Sequence, residues 1–204
     1  MTSLANRRSA ILLFSLPDCL HSHRTRLVIK EKEISAELHE IDLSNISEEI
    51  KFISPYDDFP TLVDRELVLQ NSRVIIEYLD ERFPHPPLLP VDPVQRAKFR
   101  LALDTIEHQW YPEFQKAYKN GKLDDQFIAN ISAYFLEIIP LITDGFFMSD
   151  DFGLVDCSLA PLLWRIKALG IDISENKKVI DDYSDRIFNK ESFQASLTET
   201  EKDM

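Results

Sequence analysis

Five of the chain's eleven prolines fall between Pro84 and Pro93, in the stretch ERFPHPPLLPVDP from Glu81 to Pro93. A proline fixes its own φ and removes a backbone donor, so this stretch is neither helix nor central strand. It must be a stiff connector. Whether it only connects, or also displays His85, is the question it raises.

The patterns on its two sides differ in kind. Before it, Ala10–Ser15 reads as an apolar strand and Leu20–Glu33 as a helix with Leu20, Leu27 and Val28 inward. Ala36–Leu43 reads as a second strand, Ser44–Ile53 as a short helix, and Thr61–Val63 with Leu67–Leu69 as two strands around Asp64-Arg65-Glu66. Ser72–Phe83 is a helix whose stripe is Ile75, Leu79 and Phe83, with Val74 and Tyr78 on the adjoining row. The order is βαβαββα. After the prolines only helices follow. Asp92 is a good N-cap with Pro93 at N1 and Gln95 placed for a capping box. Leu103, Ile106, Trp110 and Phe114 line that helix, and Pro112 should kink it. Asp124–Thr143 is helical with Phe127, Ile131, Phe135 or Tyr134, Ile138 and Ile142 inward, and Leu154–Leu169 is apolar on most sides. The expected division is an α/β unit at 9–84, a proline-rich segment at 85–92, an all-α unit at 93–197, and a disordered acidic tail at 198–204.

The net charge of −12 is spread along the chain, so no basic cluster suits nucleic acid or anionic lipid. A protein partner or small ligand fits better. Cys19 and Cys157 are far apart and suggest neither a disulfide framework nor a metal knuckle, which favours a reducing cytoplasm. Arg7-Arg8 before AILLFSL could pass for a signal, but Leu16-Pro17-Asp18-Cys19 lacks small cleavage-site residues. No stretch reads as a membrane span. His21, His23 and His39 lack ligand spacing, so no metal is expected.

The βαβαββα order with Phe59-Pro60-Thr61-Leu62 before the third strand resembles the thioredoxin-like half of glutathione transferases. That likeness implies a cis bond at Phe59-Pro60. Three runs, TLVDRELVLQNSRVIIEYLDERFPHPPLLPVDPVQRAKFRLALDTIEHQWYP, LVDCSLAPLLWRIKALGI and SFQASLTETEK, resemble the bacterial stringent starvation protein A family. The most specific piece is Glu81-Arg82-Phe83-Pro84-His85-Pro86-Pro87. The resemblance implies a homodimeric, non-enzymatic transcriptional regulator without cofactor. It would bind RNA polymerase holoenzyme, including its sigma factor, with room for a further regulator protein and no sequence-specific DNA contact of its own. It implies that Pro84, His85, Pro86 and Pro87 form the partner-binding surface. A linker gains nothing from an imidazole between prolines, whereas a contact surface gains a rigid, pre-ordered side chain.

The rival is an enzyme. CLHSHRTRLVIKEK resembles the omega-type transferases, whose cysteine at the position of Cys19 forms mixed disulfides with glutathione. A thiol at a helix N-terminus near Arg24 and Arg26 can fall well below a pKa of about 8.5. Ser15, Ser22 and Tyr56 offer hydroxyls nearby. By the same likeness Cys19, Phe59, Pro60, Asn71 and Ser72 are the glutathione-site positions, but Asn71 stands where transferases carry an acid, so the substrate amine loses its charge partner. Asp156 matches the fold's buried capping box, with Gly153 in place of the usual Ser or Thr. Cys157, Trp110 and Trp164 read as core.

Overall fold

The computed structural model describes residues 10–56, 58–119, 124–142, 145–173 and 177–204. Ser9 and Thr143, two of the boundaries expected above, lie outside them. The chain divides into two units, Met1–Pro86 with Ala195–Asp203, and Pro87–Gln194 with Met204. The division therefore falls inside the proline segment, and part of the C-terminus belongs to the first unit.

In the first unit β1 (Ile11–Ser15), β2 (Ala36–Glu40), β3 (Thr61–Asp64) and β4 (Leu67–Gln70) form one mixed sheet in the order β2-β1-β3-β4. β1 runs parallel to β2 and antiparallel to β3, with Leu13 opposite both Leu38 and Leu62. A parallel pair needs a crossover, which α1 (Leu20–Glu31) supplies. All five β1 residues are buried, as a strand covered on both faces requires. The short α2 (Glu48–Ile53) is capped by Ser47, and α3 (Ser72–Arg82) by Asn71.

Two expectations need correction here. The buried stripe of α3 is Ser72, Ile75, Ile76, Leu79 and Asp80, while Val74 is exposed and Tyr78 and Phe83 are only half-buried. The helix is turned toward α1, where Arg24 reaches Ser72 and Lys32 reaches Asp80, so its polar positions find partners inside. The tail is not disordered either. Thr198 and Glu201 form a reciprocal capping box at the start of α10 (Glu199–Lys202), and Glu201 is fully buried. Its carboxylate meets Arg26 Nη2 at 2.6 Å, 175 residues away in sequence. An acidic tail reads as solvated when its buried countercharge is that remote.

In the second unit Asp92 accepts from Gln95 N–H and starts α4 (Pro93–Thr105). A widened π turn at Ile106–Trp110 leads into α5 (Tyr111–Lys119). It lies directly before Pro112, so the missing donor is absorbed by a local change of helical spacing. α6 (Asp125–Ile142) buries Phe127, Ile131, Phe135, Ile138 and Ile142, while Tyr134 stacks on buried Trp110 at 5.2 Å. By length and composition α6 alone among the described helices could cross a membrane, against the reading above. Only 28% of it is buried, along the row Phe127, Ile131, Phe135, Ile138 and Ile142 that packs into this unit. α7 (Leu154–Ala168) is buried along most of its length, Cys157 included, and α8 (Lys177–Phe188) and α9 (Glu191–Ser196) follow. Trp164 is half-buried against Phe188 and Phe193.

Asp156, on the first turn of α7, is fully buried. Its Oδ2 accepts from Gly153 N–H, and its Oδ1 from Phe147 N–H (both 2.8 Å) and Tyr183 O–H (2.5 Å). Glycine has no side chain to return a bond, so only half of a capping box exists. Burial pushes the carboxyl up to about 6 against the pull of these donors.

Candidate partner-binding site

A run of prolines offers carbonyls but few N–H groups, so it must be fixed by donors from outside itself. Within the first unit Lys32 Nζ donates to Pro86 O at 2.5 Å. Within the second, Leu154 N–H donates to Leu88 O (2.9 Å) and Arg96 Nε to Pro90 O (2.8 Å). Leu88 and Leu89 are buried, whereas Pro84, His85, Pro86 and Pro87 are exposed. Among the described residues the His85 ring has no hydrogen-bond partner. Phe83 N–H still bonds Leu79 O, so the exposed stretch begins directly at the end of α3. The His85–Pro86 peptide is cis, as is Phe59–Pro60, the latter as the transferase likeness implies.

Sequence reasoning missed Lys32 and Asp80. Lys32 sits in Lys30-Glu31-Lys32-Glu33, which reads as a solvated helix end, yet it is buried and its Nζ lies 2.8 Å from Asp80 Oδ1. The available signal was the spacing of Asp80, four residues after Ile76 and eight after Ser72 on one helical row.

The positions that could serve glutathione are arranged differently. Cys19 is the half-buried N-cap of α1, and its side chain makes no capping bond. The cations expected beside it are committed elsewhere. Arg24 Nε and Nη2 donate to Ser72 Oγ at 3.2 and 2.5 Å, and His21 Nδ1 lies 3.0 Å from the same oxygen. Arg26 serves Glu201, Ser196 O (2.9 Å), Leu16 O (3.1 Å) and Ser15 Oγ (3.3 Å). Ser22 accepts from Leu16 N–H, and Tyr56 is exposed. Asn71 adopts φ 77°, a region asparagine tolerates, and its Oδ1 accepts from Arg73 N–H (2.9 Å) and Val74 N–H (3.4 Å). It caps its own helix with a neutral oxygen. Phe59 packs beside Leu12, Phe14 and Ile41, and Pro60 is buried. His21, His23 and His39 are each engaged separately: His21 on Ser72, His23 beside Glu201 and Ser196, and His39 stacked on Phe14.

Residues 13–87 match the family model of the glutathione S-transferase N-terminal domain. The stringent starvation protein A homolog of Pasteurella multocida is 46% identical over 200 residues, covering 97% of this chain and 94% of the relative. The chain belongs to the stringent starvation protein A family. Its fold is that of the glutathione transferases: a delta-class enzyme of Nilaparvata lugens superposes with a TM-score of 0.84 at 22% identity, covering 95% of each chain. Human glutathione S-transferase omega-2 is 36% identical over 168 residues, 79% of this chain and 69% of the enzyme. The chain thus combines relatives named for stringent starvation with the fold of the glutathione transferases.

Proposed function

We propose that this protein is a cytoplasmic transcriptional regulator of the starvation or acid-stress response, acting as a homodimer through contact with RNA polymerase holoenzyme. The reading rests on the names of the relatives, "stringent starvation protein A homolog", and on one observation above all. His85 stands exposed between prolines whose backbone is held from inside the first unit. A side chain presented this way loses little freedom on binding, so more of its contact energy appears as affinity. The charge of −12 supports a protein contact rather than direct binding to DNA. Exposed Val94 and Leu101, seven residues apart on α4, provide apolar surface for self-association. The test is retention of the tagged protein with polymerase from cell extract. Co-purification of holoenzyme is the expected result, and polymerase left in the flow-through contradicts the proposal.

A second reading, a glutathione-dependent thiol transferase, is favoured by the uncapped thiol of Cys19 at the start of α1. Against it stand the neutral Asn71 and the Ser72 hydroxyl already held by Arg24 and His21. Turnover with glutathione that vanishes in Cys19→Ser would establish this reading.

A further inference from the structure

Lys32 closes α1 as its C-cap, and its next neighbour, Glu33, takes a left-handed φ of 50°. That sharp exit accompanies an ammonium group placed inside the first unit, with a fully buried Lys32 side chain and Asp80 almost as enclosed. Removing two charges from water is costly, and a buried ion pair often does no better for stability than an apolar pair of the same volume. Stability alone therefore gives little reason for a lysine here. The second bond supplies one. Nζ, already paired with Asp80, also donates to the carbonyl of Pro86, the residue following His85. Within Pro84–Pro87 only His85 has an N–H, so the exposed stretch cannot fix itself with backbone donors, and an external one must do so.

We infer that Lys32 and Asp80 are positioning residues for the display of His85, Asp80 orienting the ammonium and the ammonium holding Pro86 O. This role rests on the reading of His85 as the partner contact. Without the donor the prolines still restrict the backbone, but the stretch is no longer tied to α1 and α3, and the imidazole samples more directions. Binding then carries an ordering cost that the parent protein avoids.

The test uses the full chain. Lys32→Met/Asp80→Leu removes both charges together, so no uncompensated charge remains inside, and Lys32→Arg keeps a donor. Each variant is measured for melting temperature, for the NMR signals of the His85 ring, and for affinity toward RNA polymerase holoenzyme. The paired variant should melt as the parent does and shift or broaden the His85 signals while those of His39 and His108 stay unchanged. It should bind holoenzyme at least about fivefold more weakly, with Lys32→Arg recovering part of the loss. His85 signals and affinity identical to the parent's would overturn the inference. If the paired variant does not fold, Asp80→Asn, which weakens the orienting partner while keeping the lysine, is read by the same criteria. If the parent itself fails to bind holoenzyme, the proposed function falls. The His85 signals still decide the inference, altered signals supporting it and unaltered ones overturning it.

Discussion

Arg26 on α1 and Glu201 on α10 meet at 2.6 Å with both side chains buried, so the last helix is tied to the first by a charge pair that spans nearly the whole sequence. Arg26 Nε also holds Ser196 O, and His23 lies against Glu201 and Ser196. Removing one member of such a pair leaves an uncompensated charge inside, at a cost of about 3–5 kcal/mol. Glu201→Ala should therefore lower the denaturation midpoint strongly, and Glu201→Gln, which keeps an acceptor, should do so less. A Glu201→Ala midpoint equal to the parent's would show that the tail is not anchored here.

Asp156 is the corresponding point in the second unit. Asp156→Ala leaves the Gly153 and Phe147 amides and the Tyr183 hydroxyl without their acceptor, at about 1–3 kcal/mol for each buried group. The loss should exceed the roughly 0.5–2 kcal/mol of a single missing cap. The pH dependence carries a definite sign. The carboxyl is raised in the folded state from 3.8 to about 6. Its linked contribution is thus fully present below pH 4 and lost as pH rises toward 6, by an amount of order 3 kcal/mol. Melting curves of parent and Asp156→Asn should converge, or cross, on going from pH 4 to 6.5. A constant gap would contradict the raised value.

Much of this architecture is legible in the sequence because it rests on local chemistry. Alternation and apolar runs mark the four strands, Asp92-Pro93 announces α4, and the four-residue spacing in α6 selects Phe127, Ile131 and Phe135 correctly. The failures share one cause. Lys32, Asp80, Arg26 and Glu201 are charged residues whose partners are 48 or 175 residues away, and local pattern assigns such residues to solvent. The same blindness displaced the buried stripe of α3, since Ser72 and Asp80 are inside for the sake of α1. The exposure of Pro84–Pro87 was legible because prolines exclude helix and central strand, whereas the Lys32 bond that holds Pro86 O, 54 residues away, was not.

Cys19 separates the enzyme from the regulator. With Asn71 spent on its own helix and Ser72 held by Arg24, glutathione should bind weakly or not at all in a calorimetric titration, and Cys19→Ser should retain polymerase like the parent. Tight glutathione binding together with turnover that disappears in Cys19→Ser would reverse the assignment.

The prolines should matter through rigidity. Replacing Pro84 and Pro86 by alanine lengthens the list of conformations the stretch can adopt, which weakens partner binding by the ordering cost while leaving the buried Leu88 and Leu89 in place. Affinity should fall further in this background than in His85→Ala alone, and equal affinities for the two would argue against pre-organisation.

His85 is expected to carry function without carrying stability. An exposed side chain away from special features changes stability by less than about 0.5 kcal/mol, whereas loss of a central contact weakens binding by roughly 1 kcal/mol or more. The decisive measurement is holoenzyme affinity and melting temperature on one preparation of His85→Ala. Weakened affinity with an unchanged melting temperature is the expected result. Unchanged affinity, or lost affinity accompanied by a collapsed melting temperature, would contradict it.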